Sequence, residues 1–178
     1  AGAGGSLALR YGKDFENALA SQGAESRLDE LNALVRSGRA EKALAGLAEI
    51  RPALASNPAA GLEEARALLL SGRGAEGGRA MRGILEDSLA RNDDTLASNA
   101  FYGVVRAGGL GHLPPELLLK SGMALRRKKR PREAIEAFAR SSEDSTCPRR
   151  DQALFNLGEL LLENGRDVAG AEECFRRI

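Results

Sequence analysis

Residues 115–138 read PELLLKSGMALRRKKRPREAIEAF, and residues 151–175 read DQALFNLGELLLENGRDVAGAEECF. In the first stretch Leu118, Gly122 and Leu125 share one face of a helix, and Ala134 and Phe138 share one face of the next. The second stretch repeats the pattern with Leu154, Leu157, Gly158 and Leu161, then Ala171 and Phe175. Gly122 and Gly158 are 36 positions apart, and Phe138 and Phe175 are 37 apart. The one extra residue falls in the Asn164–Asp167 turn. A period in the mid-thirties is that of stacked helix pairs. A glycine inside a helix costs about 1 kcal/mol relative to alanine. Its place here points to a second helix crossing within touching distance. Ala134 and Ala171 are expected at that crossing, and Phe138 and Phe175 in the wedge between one pair and the next.

Outward from these stretches, apolar positions recur at helical spacing almost everywhere. The spacing predicts helices over about 6–20, closed by Ser21-Gln22-Gly23, and over about 24–37, closed by Ser37-Gly38. A third runs from Ala40 to Ile50, stopped by Pro52, which has no N–H to give. Asn57-Pro58 opens a fourth. Gly72 to Gly78 reads as a loose turn before a fifth, near 80–91, and Asn92-Asp93-Asp94 supplies N-cap chemistry for a sixth. Four more follow near 115–128, 131–142, 149–164 and 168–178, about ten in all. The strongest break is 109–115, rich in Gly and Pro. The expected organisation is degenerate hairpins over 1–108, that break, and two better-matched units over 116–178. The helix of the 92–115 region has no obvious partner.

Composition agrees. The 178 residues include 30 Ala and 27 Leu but only ten β-branched residues, and 4% are aromatic, too few to fill the faces of a sheet. The expected fold is all-α. Twenty-six basic against 25 acidic residues leave a formal charge of +1, so nothing global demands nucleic acid or an anionic membrane. The 21 Arg against five Lys, with abundant Ala and Gly, suit a GC-rich bacterial genome. Cys147 and Cys174 read as two reduced thiols, Cys147 in an exposed loop before Pro148 and Cys174 as a small core residue. No apolar run approaches the ~20 residues needed to span a bilayer, and no stretch reads as a signal peptide. The expected location is the cytoplasm. The start Ala1-Gly2-Ala3-Gly4-Gly5 and the uncapped end at Ile178 read as those of a piece of a longer chain.

Catalytic groups are sparse. His112 is the lone histidine, with nothing near it in sequence to orient it as a base. One His and two scattered Cys do not make a zinc site. Residues 71–78 are glycine-rich but lack the lysine and hydroxyl of a phosphate loop. The expectation is a non-enzymatic chain without cofactor or metal. Arg126, Arg127, Lys128, Lys129, Arg130 and Arg132 form the most conspicuous charge run. It spans a helix–helix turn and carries no aromatic to stack on bases. It therefore reads first as a solvated turn complementing the helix dipole, and second as a patch for an anionic surface or nucleic acid.

The chain resembles the tetratricopeptide repeat (TPR) family. Leu118, Gly122, Leu125, Ala134 and Phe138 fit its pattern without a gap, and Leu154, Leu157, Gly158 and Leu161 fit it with one extra residue before Ala171 and Phe175. An earlier, weaker copy holds Leu34, Ser37 to Ala43, and Leu47, with Leu31 in the glycine's place. The resemblance implies antiparallel hairpins stacked as a right-handed superhelix, with the first helix of each pair lining a concave groove. Its groove positions correspond to Glu116, Leu119, Lys120, Met123, Arg126 and Arg127, and to Gln152, Phe155, Asn156, Glu159, Leu162 and Glu163. The favoured candidates are Lys120, Met123, Arg127, Gln152, Phe155, Asn156 and Glu159. Asn156 stands where the family often grips a peptide backbone. Phe155 and Leu162 read either as groove anchors or as packing against a neighbouring repeat. A carboxylate clamp is not implied, because Leu119 and Met123 occupy its positions. The leading expectation is a scaffold that captures another protein or peptide. The alternatives are a soluble regulatory domain of a membrane-anchored enzyme or transport machine, and anionic binding through 126–132. An open stack also leaves unsealed ends through which copies can associate.

Overall fold

Proline, glycine and small polar residues set the helix ends. A computed structural model describes residues 4–55, 57–109, 113–165 and 167–178, with side chains from Ala20 onward. Among the described residues there are nine α-helices and no strand: α1 (Gly4–Arg36), α2 (Ala40–Ile50), α3 (Pro58–Leu70), α4 (Gly74–Ala90), α5 (Asp94–Arg106), α6 (Pro115–Arg127), α7 (Pro131–Glu143), α8 (Arg150–Leu160) and α9 (Val168–Arg176). The fold is all-α, with short turns joining successive helices into antiparallel hairpins. The Asn57 side chain accepts from the Ala59 N–H at 2.9 Å, Asp93 from Leu96 at 3.0 Å and Asp167 from Gly170 at 2.9 Å, capping α3, α5 and α9. Gly38, Gly72 and Gly108 end helices at φ of 78°, 83° and 70°; Asn92 and Lys129 take the same left-handed conformation at 58° and 55°.

One expected break is absent and another is shorter than expected. The helices expected at 6–20 and 24–37 are one helix, α1. Gly23 keeps a helical φ and meets nothing where a Cβ would stand, and one interior glycine costs too little to end a helix among good helix formers. The loose turn expected over 72–78 shrinks to Gly72 and Arg73. Gly74, Gly77 and Gly78 are already helical, and Gly77 leaves room for the Leu69 side chain, 2.8 Å from where its Cβ would be. Nine helices therefore stand where about ten were expected.

By contacts the chain divides into two units, Ala1–Ala80 and Met81–Ile178. The division falls within α4; the 109–115 stretch, expected as the boundary, joins α5 to α6 inside the second unit. Leu110, Gly111 and His112 lie outside the described residues. In the first unit α1, α2 and α3 enclose Leu28, Leu31, Val35, Ala43, Leu47 and Leu54. Leu31, in the glycine's place on the first helix, is accommodated by Gly46 on the second, where a Cβ would collide with its methyls.

The second unit holds three hairpins: the 81–90 part of α4 with α5, then α6 with α7, then α8 with α9. Each has one glycine against one large side chain. A Cβ on Gly103 would lie 2.5 Å from the Met81 sulfur, one on Gly122 2.6 Å from the Phe138 ring, and one on Gly158 2.7 Å from the Phe175 ring. Each phenyl ring thus covers the glycine of its own hairpin, a correction to the expected wedge between pairs. Ala134 and Ala171 are buried. Burying Phe138 completely is worth about 2–3 kcal/mol. The helix without an obvious partner, α5, packs on α4 through Gly103 and on α6 through an Asp94–Arg127 pair. The extra residue of the last repeat is taken up as a π-helical turn, Leu161–Gly165, and Ala171 still reaches the core.

Candidate functional site

Opposite charges one repeat apart knit the second unit. Arg127 donates twice to Asp94, at 2.6 and 2.7 Å, from the end of α6 to the start of α5. Its neighbour Arg126 reaches the other way, to the Asn156 amide oxygen at 3.0 Å, Glu159 at 2.6 Å and Glu163 at 3.1 Å. Arg149 donates to Glu116 at 2.9 Å. Arg127's hydrogen bonds hold the Asp94 carboxyl below its ordinary range. These ties were missed in the sequence. Their signal was present there: Asp94 with Arg127, Glu116 with Arg149 and Arg126 with Glu159 are each 33 positions apart.

The ties sort the candidate residues. Lys120, Met123 and Arg127 come together with Leu117 on α6, facing Glu86, Leu89 and Ala90 of α4 and Asn92 of the following turn, around an open depression of about 450 Å³. Leu89, Leu117 and Met123 line it half-buried, and Glu86, Lys120 and Arg127 line it exposed. Lys120 is exposed and held only loosely, 3.7 Å from Glu116. The residues from 86 to 92 were expected as a helix end and the following N-cap, not as part of a groove. Leu119, at a groove position by resemblance, is fully buried.

The α8 candidates lie elsewhere. Asn156 has both ends of its amide engaged: the oxygen accepts from Arg126, and the nitrogen donates to the Gln152 carbonyl at 2.7 Å. Glu159 is paired with Arg126. Gln152, Asn156 and Glu159 therefore share the face of α8 turned to α6. Phe155 is on a different face, 48% exposed, with its ring centroid 6.1 Å from that of Phe175. Leu162 follows two turns on, also exposed. The seven candidates thus form a depression on α6, a tie between α6 and α8, and an apolar surface shared by α8 and α9.

The basic run divides too. Arg126 and Arg127 are spent on carboxylates. Lys128, Lys129, Arg130 and Arg132 make no ion pair among the described residues; Lys128, Lys129 and Arg132 are exposed and Arg130 is half-buried. Cys147 was expected to be exposed but is buried, with its sulfur 3.5 Å from the Ser141 hydroxyl. Cys174 is buried and its thiol is pushed up by that burial. Both are free. Among the described residues no group of His, Cys, Asp and Glu is arranged to hold a metal, and no helix is long and apolar enough to cross a membrane. A depression of about 490 Å³ in the first unit, lined by Asp29, Asn32, Ala33, Arg36 and Ser37, offers no large apolar side chain.

Among solved structures the chain is similar to MamA (41-end) from Desulfovibrio magneticus RS-1, at 18% identity over 86% of this chain and 92% of that one, with a TM-score of 0.39. It is similar to the nearly identical TPR-like repeats of a Podosopora anserina putative kinesin light chain, at 16% over 89% and 93%, TM-score 0.36. It is also similar to pilF of Pseudomonas aeruginosa, at 14% over 89% and 77%, TM-score 0.37. No family model and no curated protein matches the chain.

Proposed function

We propose that this chain is a non-enzymatic protein-interaction scaffold whose second unit takes a polypeptide segment in the depression between 86–92 and α6. The observation that carries the reading is the make-up of that depression. Leu89, Leu117 and Met123 offer an apolar floor, and Lys120 stands at the rim with its ammonium nearly free. Anchors with a few charged or amide donors beside them are what an extended or helical segment needs. Methionine adds a surface that adapts to the anchor it receives. The Arg127–Asp94 pair holds the wall in place, so the site is formed before the partner arrives.

Site-directed photo-crosslinking tests this. A photoreactive residue at position 120 or 117 should give a defined adduct with a partner in extracts of the source organism, and one at Arg140, on the exposed side of α7, should not. Met123→Glu should abolish the adduct at 120 while leaving the helical circular dichroism unchanged. Equal adduct formation from 120 and 140 refutes the assignment.

A further inference from the structure

The turn between α6 and α7 differs from its counterparts in the residue at its left-handed position. At the ends of α1, α3 and α5 that position holds a glycine, Gly38, Gly72 or Gly108, and at the end of α4 it holds Asn92, a residue type that tolerates this conformation. At the end of α6 the position belongs to Lys129, at φ 55°. The hydrogen bonds are the same in kind: Lys129 N–H to the Arg126 carbonyl at 3.0 Å and Arg130 N–H to Leu125 at 2.9 Å, as Gly38 N–H bonds Val35 at 3.1 Å and Arg39 N–H bonds Leu34 at 2.9 Å. A side chain in this conformation is disfavoured relative to glycine. The turn therefore carries a long cationic side chain where the other turns place glycine or asparagine. On either side stand Lys128, Arg130 and Arg132, which make no ion pair among the described residues. Four cations within five positions concentrate positive charge on one small projection.

Its surroundings are acidic. Asp93 and Asp94 begin the neighbouring helix α5, and Arg127 neutralises only Asp94. On the other side Arg126 meets two carboxylates, Glu159 and Glu163, leaving a negative surplus. Glu133 follows on α7. A nucleic-acid duplex or a bilayer presses a broad array of negative charge and would meet these carboxylates as well. The 126–132 run also has no aromatic residue on which a base could stack. A flexible acidic polypeptide can place its carboxylates on the projection alone.

We propose that Lys128, Lys129, Arg130 and Arg132 form a docking point for an acidic segment of the protein partner. The proposal rests on the reading of this unit as a protein-binding scaffold and adds the chemistry of the partner. Arg127 lines the depression and is followed at once by Lys128. A segment anchored there has its acidic residues within reach of the turn.

The test uses the whole chain and a fluorescently labelled oligoglutamate peptide, with a DNA duplex and phosphatidylserine vesicles as competing probes. Oligoglutamate should bind at low salt, weaken as salt rises, and bind more tightly than either other probe. Lys129→Gly is the decisive variant. It should raise the urea midpoint and weaken oligoglutamate binding by about three- to fivefold, as for loss of one exposed charge pair. A turn with only a structural role would gain stability with no change in binding. Arg140→Gln, which removes one exposed positive charge elsewhere on α7, should leave binding unchanged. Stronger binding of DNA or vesicles, or unaltered oligoglutamate binding by Lys129→Gly, overturns the proposal. Crosslinking from position 120 reports on the depression alone, so failure there is distinguishable from failure here.

Discussion

The same substitution, glycine to alanine, should have opposite effects at positions that look alike in sequence. At Gly83, in the exposed part of α4, a Cβ would meet nothing within 4 Å. Alanine there gains helix propensity, about 0.8–1 kcal/mol. At Gly122 the new methyl would lie 2.6 to 2.9 Å from three atoms of the Phe138 ring. That ring is fully buried and cannot swing away. Overpacking of this kind costs about 1–3 kcal/mol, so after the propensity gain Gly122→Ala should be less stable than the parent by about 1 kcal/mol. The two variants should then differ by about 2 kcal/mol, or roughly 6 °C in Tm for a chain of this size. Gly158→Ala should fall between them. Its Cβ would lie 2.7 Å from Phe175, but that ring is 38% exposed and can tilt outward. Urea and thermal unfolding followed by circular dichroism would measure all three. If Gly122→Ala proved as stabilising as Gly83→Ala, the close approach of α6 and α7 described here would be wrong.

Arg126→Met should destabilise the α6–α8 contact by about 1–2 kcal/mol, because it removes a partially exposed, multiply bonded guanidinium. A double-mutant cycle with Glu159→Gln should return a coupling near 1 kcal/mol, and no coupling would mean the pair is idle. The Asp94–Arg127 pair predicts a pH dependence. Asp94's folded pKa is lowered from 3.8, so its stabilisation is fully present above that value and is lost as pH falls through the folded pKa. Arg127→Met should therefore flatten the acid limb of stability against pH; an unchanged limb would count against the pair. Both thiols are buried, so Cys147 and Cys174 should react slowly with a disulfide reagent in the native protein and fast in urea. Rapid native reaction at Cys147 would restore the exposed-loop reading.

The hairpins of 115–178 were legible because their glycines, alanines and phenylalanines are spaced by packing, and packing dictates residue size. The N-terminal half was harder. Where Leu31 and Gly46 exchange the large and small roles between the two helices, the contact survives but the pattern does not. Ser21-Gln22-Gly23 was overread as a break because a glycine's local cost is visible in sequence, whereas the helical bonds that outweigh it belong to the whole of α1. Of the candidate groove residues, Lys120, Met123 and Arg127 line one depression, whereas Asn156 bonds Arg126 and Phe155 lies by Phe175 on a different face of α8. Periodicity places residues on a face of α8 but does not say which long side chain one repeat away will bond to that face, as Arg126 does here.

The π-helical turn at Leu161–Gly165 separates the length of this repeat from its geometry. One supernumerary amino acid widens a single coil, and the downstream rod still docks with Ala171 and Phe175 in place. Such a corner acts as a slack joint: it has absorbed one inserted residue without passing the offset on to the rod that follows.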